Sequence, residues 1–513
     1  MLLEQYKVTE VLRFPTEGLT GRIKIKTPVR EITKDNVREV LEKALALHAI
    51  NAGQITYLYE YYKGNQDIRL KEKYVRENIN NKVMVNRANE IVTFKSAYRL
   101  NEPIQYISTG GGDESVSRNV GRLNEFMRME DKESKDKEIV DWSLICGVAE
   151  RLTLTDELAN VEDGAPFYIY TLDPRDAFVI YSSCVGERPM AGVIIQRDEK
   201  NELYFMVYTD NRCFTVTRDD VIEQVHILGC VPLVEYINNE ARMGAFETVI
   251  PVLNAINNLE SNALDSIQDF VNGFDVFQNC DIEDGEYGEL SIGGKAVKIK
   301  TVTQGMEAKV YRVASELSQS GVQQRIDDLT DAYLTICGMP NRNGGSSTSD
   351  TGQAVIFRDG WSEAESRAKD SEKLFTRSER QFLRIVLNIC AVKSPLDLEL
   401  KDIGVNYARK SLNNLQSRFQ CFMEGLNSDR LNPKCVFDAF GDIFGDKNEA
   451  YNMSMAWRRE QEQRQEEEIQ KQLDMERERI ANGGNGDEED NAGGVPPVGS
   501  DNHAAGEEGS PED

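Results

Sequence analysis

The chain has 513 residues, 60 Lys+Arg against 87 Asp+Glu, three His and nine Cys, for a net charge of −27. At roughly 100 to 200 residues per domain this length holds two to four structural units, and 40% apolar residues supply a sizeable core. The acid excess excludes a protein that grips DNA or RNA through phosphate neutralisation. The single scattered cysteines exclude a disulfide framework or a zinc knuckle.

In chain order, the N-terminus MLLEQYKVTE lacks a basic-then-apolar signal pattern, and no apolar run approaches the ~20 residues that span a bilayer, so neither secretion nor membrane insertion is expected. Residues 35–63 place Val37, Val40, Leu41, Leu45, Ala49 and Ile50 at spacings of three and four, which predicts an amphipathic helix stopped by Gly64-Asn65. Further helices are expected over 115–134 and 135–160. From Phe167 to His226 short β-rich runs predict an antiparallel sheet, with Leu203–Tyr208 and Cys213–Val216 as a hairpin.

A broad apolar stripe from Phe246 to Phe274 predicts a long helix that begins near Val249 or Ile250, because Pro251 fits only a first turn. Residues 276–313 read as Gly-rich β structure and 315–337 as another helix. The loop Met339 to Asp350, with two glycines and a Ser/Thr cluster, is long enough to serve a function. A long helix is expected over 352–392 with Gly360 its one serious break, and then a strand through LDLELKDIGVNYA. Residues 409–456 read as helical, with Asn432 an N-cap and Pro433 at the first position. Arg458 to Arg479 reads as a solvated charged helix, and the tail from Ala481, with nine acids and no Lys or Arg, as disordered.

Residues for chemistry are sparse. His48, His226 and His503 cannot be paired by local spacing. Ser291-Ile-Gly-Gly-Lys295 lacks the first glycine and the Ser/Thr of a phosphate loop, Thr109-Gly-Gly-Gly112 lacks a strand-to-helix setting, and Asp438–Glu449 lacks the calcium-loop core. No catalytic residue, metal site or cofactor is assigned.

Several phrases resemble portal proteins of tailed bacteriophages, in particular those of long-tailed phages of Gram-positive bacteria. They are Tyr61-Tyr-Lys-Gly-Asn-Gln-Asp-Ile68, NRANEIVTFKSAYRLNEPIQY (86–106), Leu172-Asp-Pro-Arg-Asp-Ala-Phe-Val-Ile-Tyr181, Val231–Asn239 running into Phe246–Ile250, and Leu259–Phe270. The resemblance covers about 30–410. It departs after the loop, where relatives carry a Ser-Gly-Val-Ala type phrase and this chain reads Asp350-Thr-Gly-Gln-Ala-Val355.

The resemblance implies an α+β portal fold. Its parts would be a wing (1–245), a first stem helix (246–275), a β-rich clip (276–314), a second stem helix (315–338), a channel loop (339–351), a long wing helix and strand (352–408), a helical crown (409–480) and the acidic tail (481–513). It implies no enzyme activity, and a homo-oligomeric ring of about twelve subunits at one capsid vertex of the virion, assembled in the host cytoplasm. Double-stranded DNA would pass through the ring during packaging and ejection. Partners would be the terminase large subunit motor, the head-to-tail adaptor, and the major capsid and scaffolding proteins, with no membrane. The alternatives are a metal-dependent cytoplasmic hydrolase or nuclease, which the acid surplus permits, and a scaffolding or minor capsid protein.

A DNA conduit must avoid binding its cargo, because every neutralised phosphate adds counterion-release affinity that translocation must break. Across 246–274 and 315–334 there are eight acids and one base, Arg325. Of these acids Glu260, Asp265, Asp269, Asp327, Asp328 and Asp331 are the expected channel lining, with solvated outer faces as the alternative. Loop residues Arg342, Asn343, Gly344, Gly345, Ser346, Ser347, Thr348, Ser349 and Asp350 supply low-barrier backbone freedom with Arg342 the only base. In the clip, Lys295, Lys298 and Lys300 alternate with Val297 and Ile299, which puts two of the lysines on one strand face and the apolar residues on the other, for an acidic partner, for DNA at the channel mouth or for solvent.

Overall fold

The computed structural model describes residues 6–15, 18–74, 77–109, 114–155, 164–271, 274–282, 299–301, 307, 309–313, 319–341, 360–407, 415–428, 430–444 and 447–482. The fold is mixed α+β. It divides into two compact units, Met1–Ala450 and Tyr451–Asp513.

In the larger unit, helix α1 (Val37–Lys63) ends where Gly64 takes a left-handed φ of 105° and its N–H caps Glu60 and Tyr61 carbonyls. The N-terminal half of α1 lays Val37, Leu41, Ala44 and Leu45 on Phe178, Ile180, Val193, Phe205 and Phe214 of a six-stranded sheet. Each of the buried Val, Leu, Ile and Phe side chains contributes about 1.5–3 kcal/mol. The sheet runs β1-β5-β6-β7-β8-β9, where β1 is Lys26–Thr27, β5 Ala177–Ser182, β6 Pro189–Arg197, β7 Leu203–Tyr208, β8 Arg212–Val216 and β9 Val221–Val225. Every neighbour pair is antiparallel except β1 with β5, and the expected hairpin is β7–β8, with Tyr208 opposite Cys213. Its opposite face packs Val179, Ile194 and Tyr208 against Leu152 and Leu233.

Those two leucines belong to a three-stranded sheet, β10-β3-β4, of β3 (Val148–Leu154), β4 (Tyr168–Leu172) and β10 (Leu233–Ile237). Helices α2 (Arg87–Arg99), α3 (Glu114–Met129) and α4 (Lys132–Cys146) pack near it around the largest core. The helix expected over 135–160 therefore stops at Cys146, and Val148 opens a strand. The run Val-Ala-Glu-Arg-Leu-Thr falls inside that expected helix, yet it forms β3, the middle strand, and all six of these residues are buried. Ion pairs with Asp136 and Glu379 accompany the burial of Arg151, whereas Glu150 is buried beside the like-charged Glu235.

Helix α5 (Ile250–Val271) follows a 3₁₀ turn at Glu247–Val249, with Pro251 in its first turn as expected. Two antiparallel ribbons come next: β11 (Phe274–Gln278) with β14 (Lys309–Val313), and β12 (Cys280–Ile282) with β13 (Ile299–Thr301). Helix α6 (Gln319–Cys337) then packs on α5 through the shared core, which contains Leu253, Ile256, Ile326 and Tyr333. Helix α7 (Trp361–Lys393) starts directly after Gly360, whose φ of 83° marks the break foreseen there; residues 352–359 of the expected helix lie outside the described residues.

The strand expected from Leu396 is shorter than the apolar run. Glu399 and Asp402 form a reciprocal capping box that closes a 3₁₀ turn, and only β15 (Ile403–Tyr407) pairs, antiparallel to β2 (Ile104–Ser108). Helix α8 (Leu415–Leu426) and α9 (Pro433–Phe440) pack Phe422 edge-on to Phe437, and Asn432 caps α9 by accepting from the Lys434 N–H at 2.9 Å. Helix α10 (Lys447–Asn482) continues into the smaller unit. There, from Trp457 to Glu478, all residues but Gln461 are exposed, as its charge pattern requires.

Candidate functional site

The helix pair α5/α6 carries the six acids expected to line a channel. One face of α5 presents Asn254, Asn257, Ser261 and Asp265 at spacings of three, four and four, a polar row within an apolar helix. Asn254 accepts from the Tyr61 hydroxyl at 2.9 Å and donates to Asp67 at 3.0 Å. Asn257 donates to Gln66 at 2.6 Å and accepts from the Val85 N–H at 2.9 Å. The Ser261 hydroxyl accepts from the Val83 N–H at 3.0 Å, and Asp265 Oδ1 accepts from both the Asn81 N–H and its side-chain amide at 2.7 Å. The irregular segment 77–86 has no strand partner, so α5 side chains satisfy alternate backbone N–H groups that would otherwise stay unpaired.

Asp265 is consequently a buried clasp residue. Its side chain is only 4% exposed and meets Lys71 at 3.0 Å and Lys73 at 3.5 Å. Burial works against its charge, but the Asn81 N–H, Lys71 and the Asn81 amide win and hold its pKa below the usual value. Within the chain its charge is neutralised by Lys71 and Lys73 and by the Asn81 donors, unlike that of a free, repulsive carboxylate. Glu247 is similarly engaged, buried 2.6 Å from Arg22. Glu260 is half-buried beside Arg87, whose pKa it helps to raise. The Asp269 side chain lies outside the described residues.

On α6, by contrast, Asp327, Asp328 and Asp331 are all exposed. Asp327 accepts from Gln323 at 2.9 Å and Asp331 from Asn341 at 2.8 Å. Arg325 stands 3.9 Å from Asp328 with both side chains more than half exposed, a pair worth ~1 kcal/mol or less. The opposite face of α6 buries Ile326, Tyr333, Leu334 and Cys337.

Within the clip, β13 sets Lys300 opposite Asp281 in register, while Lys295 and Lys298 lie outside the described residues. Arg342 to Asp350 lie outside them too. The structure describes the two roots of this loop: Gly338, Met339 and Pro340 are buried at the end of α6, and Gly360 precedes α7.

Sequence reading missed a buried ionic cluster that joins α7 to α4 and β3. Arg151 donates to Glu379 at 2.9 Å and to the Tyr236 hydroxyl at 3.1 Å, and also pairs with Asp136. Lys132 lies 2.6 Å from Asp136 and 3.4 Å from Glu379. Tyr106 and Tyr236 donate to Glu379 at 2.6 and 2.8 Å. Burial opposes both charges, yet Lys132 and Arg151 hold the Glu379 pKa low, and Tyr236, Asp136 and Glu379 hold that of Arg151 high. Two cations and two carboxylates balance, which is what allows such groups to be buried together. The available signal was an Arg inside the otherwise strand-like VAERLTL.

His48 and His226 occupy structural positions, and His503 lies outside the described residues. His48 stacks on Phe178 with centroids 4.3 Å apart and hydrogen-bonds the Arg175 carbonyl at 2.8 Å; burial drives its pKa down to about 4. His226 contacts the Thr209 carbonyl at 3.0 Å. Among the described residues no His, Cys, Asp and Glu group has the makings of a metal site, and no helix is long and apolar enough to cross a membrane.

A family model described as phage portal protein, SPP1 Gp6-like, matches residues 42–471, and the chain belongs to that family. No curated protein matches it. The chain is thus a bacteriophage portal protein, a capsid component that serves DNA packaging, from a structural and non-enzymatic family.

Proposed function

We propose that this portal protein assembles as a ring of about twelve copies around a channel that conducts double-stranded DNA into and out of the capsid. The observation that carries the reading is the exposed carboxylate row Asp327, Asp328 and Asp331 on α6, set against a single weakly paired Arg325. Repeated around a ring, that row makes a sleeve that repels phosphates and keeps counterion-release affinity low. Asp265 takes no part in the sleeve; it anchors α5 so that α6 is presented on a fixed partner.

In this reading 1–245 with 352–408 form the wing, 246–275 and 315–338 the stem, 276–314 the clip, 339–351 the channel loop and 409–480 the crown. Lys295, Lys298 and Lys300 would dock the terminase motor and later the head-to-tail adaptor. Glycines 344 and 345 and their Ser/Thr neighbours would yield as the DNA turns past a ring of different symmetry.

Negative-stain imaging of the purified chain tests the ring, with an annulus and a central hole as the expected result. Replacing 344–349 by a rigid helical segment tests the conduit: rings should still form while packaging stops. A closed particle without a hole, or normal packaging by the rigid-loop variant, overturns the reading.

A further inference from the structure

A cavity of about 80 Å³ opens between α2, the end of α6 and the first turns of α7. Among the described residues three cations line it, Lys95 and Arg99 from α2 and Arg367 from α7, and no carboxylate does. In a chain of net charge −27 this is the reverse of the average surface. Arg99 is fixed by a 3.0 Å bond to the Ser371 carbonyl and by its guanidinium lying 4.9 Å over Phe375. Arg367 is fixed by the Ile336 carbonyl at 2.7 Å and by Glu363 at 2.5 Å. Lys95 has no hydrogen bond or ion pair among the described residues. Burial, with Arg367 and Arg99 adding to it, holds its pKa below the usual lysine value, so the cavity is short of negative charge.

The wall is built to this shape. Gly338 has φ +65°, and a Cβ there would come within 2.3 Å of Arg367 Cδ and 2.8 Å of Cζ, so a larger residue would displace the guanidinium. The volume is ample for a small anion. Two guanidinium forks and an ammonium match an oxyanion with several acceptor oxygens.

We propose that this cavity is a binding site for a small free oxyanion of the inorganic phosphate type, held by Lys95, Arg99 and Arg367. Bound there, the anion ties α2 to the end of α6 and the start of α7, the two helices that flank residues 339–360. The site is independent of the channel reading.

Calorimetric titration of the full chain with inorganic phosphate in chloride buffer tests it, with sulfate and a short duplex DNA as further arms at matched ionic strength. Phosphate and sulfate should bind at millimolar concentration or below and raise the Tm. Lys95→Gln should weaken phosphate at least ~10-fold, the loss of one charge-assisted contact, whereas Lys95→Arg should keep binding. Reading the phosphate-dependent Tm of the unmodified chain decides the matter even where a variant folds poorly. Absence of both heat and Tm shift with phosphate, equal affinity in Lys95→Gln, or displacement of phosphate by the duplex would each overturn the proposal, the last by making the ligand a backbone phosphodiester.

Discussion

Replacing Asp265 with Ala removes the acceptor that holds the Asn81 end of the segment 77–86 against α5. The three shortest bonds to one ionised carboxylate are lost, from the Asn81 N–H, the Asn81 side-chain amide and Lys71, together with the longer one from Lys73 at 3.5 Å. A bond to a charged group is worth about 1.5–3 kcal/mol, and because the three share one carboxylate they do not add fully, so the local clasp loses about 3 kcal/mol. At 1.4 kcal/mol per factor of ten, the Asn81 amide should exchange with solvent about a hundredfold faster. Val83 and Val85, bonded to Ser261 and Asn257 rather than to Asp265, should change less.

Hydrogen–deuterium exchange read by mass spectrometry on peptides covering 77–86 measures this directly and does not require two-state unfolding. Asp265→Asn keeps one acceptor oxygen but loses the charge that serves Lys71 and Lys73, so its effect should be intermediate. If Asp265→Ala left exchange over 77–86 unchanged while altering DNA passage, Asp265 would be a channel-lining acid and the clasp argument would be wrong.

Arg151→Met should cost about 3–5 kcal/mol, because Glu379 and Asp136 are left buried with Lys132 alone; a thermal unfolding shift of only a degree or two would contradict this. Glu150 stands directly opposite Glu235 across β3 and β10, Arg242 and Tyr181 serve Glu235, and Glu150 Oε2 has no partner among the described residues, so burial and the Glu235 charge push the Glu150 pKa well up. A folded pKa above the unfolded one gives stability that is complete below about 4.5 and is lost as pH rises. Glu150→Gln, fixed in the neutral form, should therefore gain Tm relative to the unmodified chain at pH 8 and lose that advantage near pH 4.5; parallel curves across this range would refute it. Changing Asp327, Asp328 and Asp331 together to Lys should raise duplex DNA affinity with a steep salt dependence and slow packaging, read by filter binding across salt and by packaging assay. Unchanged binding would place that row away from DNA.

Much of the helical fold was legible locally. The 3.6-residue stripes of α1 and α5, the stop at Gly64, the break at Gly360 and the Asn432-Pro433 cap are each fixed by a few neighbouring residues, through side-chain period or backbone freedom. The β7–β8 hairpin is equally local. Where sequence reading erred, the causes differ: at 395–402 the local Glu399–Asp402 capping box closes a turn, while at 147–154 the deciding contacts come from far along the chain. Arg151 is a strand residue because Glu379 is 228 positions away and 2.9 Å distant.

The acids show the same division. Sequence sets out that α5 and α6 carry a carboxylate surplus and almost no base, which follows from counting and needs no coordinates. It cannot distinguish Asp265 from Asp331, since both sit on helices among apolar residues. Only tertiary structure makes one a clasp held by Lys71 and Asn81 and leaves the other in solvent beside Asn341. The physical reason is that a charge's role depends on what lies within a few ångströms of it, and for a buried group those neighbours are brought there by folding.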